Sequence, residues 1–193
     1  MNISAFNQMI ASRRSIYPRD YKNEKIEEEI IWQILNNAHW APTHKMTVPW
    51  RFKVYAGKGR EELGRKQAEI YKKVASQEGN FLTAKYENLA KGPKRASHVI
   101  MIIMKRSTSV KIREVEEIAA VGCAVQNIYL TANAYGLGGY WSTGGVTYME
   151  PAKEAFGLAE EDRLMGFFYL GQIAGVKAEG QRPPIEDHVE WIS

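Results

Sequence analysis

One run limits the fold more than any other: Ser97–Lys105, unbroken and apolar from Val99 to Met104. Six apolar residues fall far short of the roughly 20 needed to span a bilayer as a helix. A continuous, partly β-branched run offers no polar face to water, so it reads as a strand buried on both faces. Such a strand needs a layer above it and another below. Leu164–Ile173 reads the same way. Trp50–Tyr55 alternates apolar and polar residues and is expected to be a half-buried strand, and Gly139–Thr143 a short one.

The remaining segments read as helices. Residues 1–11 set Ile3, Phe6 and Ile10 on one face. Asn23 is a fair N-cap for a helix with Glu24, Glu27, Glu28 and Glu29 at its positive end, repeating Ile26, Ile30, Ile34 and Ala38 and stopping before Pro42. Residues 58–75 and 80–90 are polar and amphipathic. The longest helix is expected from about Arg113 to Tyr135, small and apolar in its middle (Ala119, Ala120, Gly122, Ala124), ending at Gly136 and Gly138. Pro151–Phe156 is a short helix, and the tail after Gly175 is irregular. Pairs of helices between some strands favour an α+β fold, a mixed or antiparallel sheet of about four to five strands wrapped by helices.

The chain of 193 residues reads as one domain, 1–193. Its 26 Lys+Arg against 22 Asp+Glu leave +4, a field that favours an anionic ligand such as a phosphate. No long run of like charge, basic–aromatic interleaving, apolar span or leader pattern appears, so neither nucleic acid nor membrane is expected as a partner. One cysteine, Cys123, excludes an internal disulfide and a Cys-based zinc site, and a cytoplasmic location is the expectation. Mid-helix among apolar residues, Cys123 reads as a small buried hydrophobe rather than a nucleophile. The histidines show no metal-ligand spacing.

Three segments could carry chemistry. Arg13-Arg14-Ser15 offers two guanidinium forks and a hydroxyl to an oxyanion or a polar ring edge; two surface arginines at a helix end is the plainer alternative. The loop Ala41–Trp50 holds Thr43, His44 and Lys45 between Trp40 and Trp50, either a binding loop for a flat ligand or a connector. Gly136–Gly145 is half glycine, which lets backbone N–H groups approach a ligand. Its glycines follow a helix and flank a strand, so it is not the dinucleotide fingerprint.

Taken together, these segments resemble the nitroreductase family of FMN-dependent oxidoreductases. The resemblance rests on Arg13-Arg-Ser15, Ala41-Pro42, Pro49-Trp-Arg-Phe52, Gly122-Cys-Ala-Val-Gln-Asn127, Gly136-Leu-Gly-Gly-Tyr-Trp141, Phe168-Tyr-Leu-Gly171 and Arg182-Pro-Pro-Ile185, in the family's order over nearly the whole chain. Thr43-His44-Lys45 looks most like the compact bacterial branch. Lys45–Val48 departs from the commoner loop, which carries Asn and Gln before Pro-Trp, and the Trp40 position is often Arg.

The resemblance implies a homodimer with FMN at the subunit interface. It further implies NAD(P)H as hydride donor and a nitroaromatic, quinone or similar small acceptor, by a ping-pong scheme. Carried over, Arg13, Arg14 and Ser15 contact the ribityl-phosphate and pyrimidine edge. Trp141, Ser142, Thr143 and Gly144 lie along the isoalloxazine, Trp40 and His44 reach in from the other subunit, and Arg182 contacts the phosphate. With the redox chemistry borne by flavin, no catalytic side chain is required. The rival readings are flavin fragmentation or reductive dehalogenation on the same fold, or a non-catalytic flavin-binding module.

Overall fold

The computed structural model describes residues 2–108 and 111–193. Four strands, β1 (Trp50–Tyr55), β2 (His98–Met104), β3 (Leu137–Ser142) and β4 (Arg163–Gln172), form one sheet in the order β1-β2-β4-β3, every pair antiparallel. Its only described parallel contact is an isolated bridge between Ser15 and Gly139. Helices α1 (Ile3–Ser12), α2 (Glu28–His39), α3 (Lys58–Gln77), α4 (Thr83–Lys91), α5 (Glu114–Ala134) and α6 (Pro151–Phe156) surround it.

Strand β2 is buried along its whole length because it sits inside the sheet with helices on both faces. Ile100, Ile102 and Met104 pack toward α2 and α5, whereas Val99, Met101 and Ile103 pack toward α3 and α6. Each such side chain contributes about 1.5–3 kcal/mol by leaving water. In β4 this alternation changes sense at a bulge. Leu164 and Phe167 share one face, Met165 and Phe168 the other, and Gly166 between them adopts φ +109°.

Helix α5 lies under the sheet, tied to α2 by Asn37 donating to Thr131 and by Asn127 donating to the Asn37 carbonyl, both at 3.0 Å. At its start, buried Glu117 pairs with Arg106. No helix among the described residues is long and apolar enough to cross a membrane.

The structure corrects several expectations. Helix α2 starts at Glu28, not after Asn23. The Ile26 N–H donates to Ser97 Oγ at 2.7 Å, which holds the preceding segment against β2, so Ile26 joins the core from outside the helix. Only Gly136, at φ +70°, ends α5; Gly138 is already in β3, and Thr143 lies beyond it. Met1 of the expected first helix lies outside the described residues. Cys123 is exposed, because α5 turns Ala120, Ala124 and Val125 to the core and Cys123 away from it. The tail holds one short 3-10 turn, Ile185–His188.

Candidate functional site

Helix α1 ends because Arg13 leaves helical geometry, with ψ 131°. The chain then runs beside β3, where the Ile16 N–H donates to the Gly139 carbonyl at 2.9 Å. That bridge brings the first helix end to the glycine-rich strand. The two meet around Tyr129 of α5. Its hydroxyl accepts from the Trp141 N–H at 2.8 Å and lies 3.1 Å from Ser15 Oγ. Its ring carries the Arg13 guanidinium at 4.9 Å and packs edge-on against Phe168 at 4.6 Å. Nothing in the local sequence marked Tyr129; only folding reveals it as the post to which Arg13, Ser15 and Trp141 are fastened.

The strand end is held as firmly. The Trp141 indole N–H donates to the Met165 carbonyl at 2.8 Å. A Cβ on Gly166 would run into the Ser142 carbonyl, so the bulge glycine lets Ser142 and Trp141 lie against β4. Gly139 is filled in the same way, since a Cβ there would sit 2.8 Å from the Phe168 ring. Gly144 differs: it is exposed, and no atom lies within 4 Å of where its Cβ would be, so the backbone past β3 is open to a ligand.

Cations gather on the α1 side. Arg14 folds back, its Nη1 donating to the Ala11 and Arg13 carbonyls at 2.6 Å, and its guanidinium touches the tail at Gly180. Its Nε is buried with no hydrogen-bond partner. Lys177 donates to Asn133 Oδ1 at 2.5 Å. Burial, then the neighbouring Arg14, holds its pKa below the usual lysine range. Among the described residues none of Arg13, Arg14 and Lys177 is paired with a carboxylate. A cluster of unneutralised cations suits an oxyanion.

The model of the Nitroreductase family matches residues 10–172. The chain belongs to the nitroreductase family. The curated "Putative NAD(P)H nitroreductase YdjA" of Escherichia coli K12 is 34% identical over 143 residues, 74% of this chain and 75% of that one. A nitroreductase-like family protein of Bacillus cereus superposes with a TM-score of 0.82 at 27% identity, covering 100% of this chain and 96% of that one. A protein of Desulfovibrio desulfuricans solved in complex with FMN does so at 0.70 and 25%, covering 97% and 96%. As a member of this family, the chain is an oxidoreductase.

Of the expected residues, the fold brings Arg13, Ser15 and Trp141 together at Tyr129, with Arg14 between the first two and Ser142, Thr143 and Gly144 following Trp141 in the chain. It sets His44 and Trp40 apart. His44 Nδ1 lies 2.5 Å from Glu116 in the first turn of α5, and Glu116 and Tyr129 are about 20 Å apart along that helix. Trp40 is 86% exposed. Their loop is strained: Lys45, Met46 and Val48 all have positive φ, which for β-branched Val48 is an outlier. Thr43 holds it by accepting the Val48 N–H at 3.2 Å. Arg182 is exposed and, among the described residues, donates to the Gln181 carbonyl. The tail also sets Lys177 beside Arg14, a cation that sequence reading passed over because a lone lysine in an irregular tail carries no pattern.

Proposed function

We propose that this nitroreductase binds FMN beside Tyr129 and passes electrons from NAD(P)H to a nitroaromatic, quinone or related small acceptor by a ping-pong scheme. The observation that carries the reading is the cation cluster of Arg13, Arg14 and Lys177, unpaired with carboxylates among the described residues, at the helix end that Tyr129 joins to β3. The residues present fit the group. Arg14 has a buried N–H without a partner among the described residues, and the backbone at Gly144 is exposed.

When bound, FMN supplies the hydride-accepting and electron-donating chemistry. The chain binds and orients it. Arg13 and Arg14, with Lys177 and Arg182 from the tail, would hold the phosphate and favour negative charge on the ring edge. Ser15 would take the pyrimidine edge, and Trp141 to Gly144 would line the ring.

The site is shared between two copies of the chain. Helix α5 turns a second apolar face outward, with Val115, Ile118, Ala119 and Cys123 exposed, and α1 exposes Ile3 at 72% along with Phe6 and Ile10. A two-fold dimer buries such faces. Trp40 and His44, far along α5 from their own Arg13, then face the partner's FMN.

The visible spectrum of the purified protein tests the reading. Yellow protein that releases FMN and bleaches anaerobically with NADPH or NADH is expected, with parallel initial-rate lines at several fixed quinone concentrations. Colourless protein that takes up no added FMN refutes it, and intersecting lines refute the ping-pong order.

A further inference from the structure

A separate cavity of about 270 Å³ opens where the segment before α2, the β1–α3 turn and the start of β2 meet. None of Arg13, Ser15, Tyr129 or Trp141 lines it. His98 does, and it is only 4% exposed. Its hydrogen bonding decides what it shows the cavity. Ser97 Oγ accepts the Ile26 N–H at 2.7 Å and lies 3.0 Å from His98 Nδ1. The Ser97 proton has no other acceptor among the described residues, so it goes to Nδ1. A neutral ring accepting at Nδ1 carries its own proton on Nε2. Burial first, then Arg60 and Lys25, lower the His98 pKa, which keeps the ring neutral. Among the described residues, Nε2 has no partner. The Nε2–H is therefore left to donate to a molecule in the cavity that His98 lines.

The surroundings supply positive charge. Lys25, Arg60 and Arg95 line the cavity, and none is paired with a carboxylate among the described residues. Lys22 and Glu24, also on its wall, face each other at 3.9 Å. Arg60 is braced by donating to the Ala96 and Gly57 carbonyls. The 20-residue helix α3 begins at the cavity with no side-chain cap. The amides of Gly59 and Arg60 are taken by the Ala56 and Gly57 carbonyls, so the helix contributes its field rather than free donors.

We propose that this cavity is a second ligand site, independent of the flavin reading, taking the oxyanion end of a small molecule on His98 Nε2–H, Lys25, Arg60 and Arg95. Phosphate and carboxylate share the required chemistry: acceptor oxygens and negative charge.

The test uses the purified chain with ¹⁵N-histidine, titrated separately with inorganic phosphate and with acetate at constant ionic strength. The His98 imidazole signal is expected to move saturably. Saturation with phosphate alone assigns a phosphorylated ligand, and with acetate alone a carboxylate. Lys25→Ala and Arg95→Ala, both at the cavity wall, should each weaken binding about tenfold. No saturable change at His98 with either anion overturns the proposal, as does an affinity unchanged in both variants.

Discussion

Replacing Tyr129 with Phe removes one oxygen and leaves the ring. In the folded chain that oxygen accepts the half-buried Trp141 N–H and faces the Ser15 hydroxyl. Ser15 can turn to water, but the Trp141 amide is left without its acceptor. A lost hydrogen bond is worth about 0.5–1.5 kcal/mol net, and a donor kept from water costs about 1–3. With partial access to solvent at Trp141, a total near 2 kcal/mol is expected. For a domain of this size that lowers Tm by about 4–8 °C. The Arg13 guanidinium over the ring and the edge contact with Phe168 survive the change. Tyr129→Leu removes those too, for roughly a further 1–2 kcal/mol. Loosening the joint between Arg13 and Trp141 should weaken FMN binding about tenfold. Thermal unfolding of the apoprotein and fluorescence titration with FMN measure both effects. A Tyr129→Phe protein with unchanged Tm and unchanged FMN affinity refutes the role of Tyr129 as the organising post.

Arg13→Ala or Arg14→Ala should lower FMN affinity by about ten- to a hundredfold, the loss of one charge-assisted hydrogen bond; equilibrium dialysis that finds no change in either returns them to surface charges. Gly166→Ala sets a Cβ against the Ser142 carbonyl at a backbone angle that L residues rarely adopt, so about 3–5 kcal/mol should disappear from urea unfolding. Burial pushes the Tyr169 hydroxyl up to about 12, above its unfolded value near 10. Its contribution is therefore complete below about pH 10 and lost as pH rises toward 12. Urea midpoints should fall across that range, and less steeply in Tyr169→Phe; identical slopes contradict the assignment.

Two elements show what local pattern can reach. Strand β1 and helix α6 fall on the expected residues, Trp50–Tyr55 and Pro151–Phe156, because strand alternation and a proline start are readable within a few residues. The Val99–Met104 run likewise demanded a strand with cover on both sides, and β2 is that strand. The start of α2 escaped because its competitor lies far off in sequence: the Ser97 hydroxyl takes the Ile26 amide and denies the helix its early start. The site divides along the same line. Arg13–Ser15 and Trp141–Gly144 stood out by residue type and resemblance, whereas Lys177 emerged only when the tail settled beside Arg14.

The sequence by itself determined the strand buried on both faces, the alternation of helices and strands, and the residue types that mark the family, because periodicity and composition act over short stretches. Tertiary structure alone decided which side of α5 faces water and leaves Cys123 exposed. It also chose Tyr129 as the meeting point of three distant segments and set His98 in the wall of a basic cavity. Those outcomes depend on contacts between residues far apart in the chain, where the energy of a side chain is set by neighbours that no local window contains.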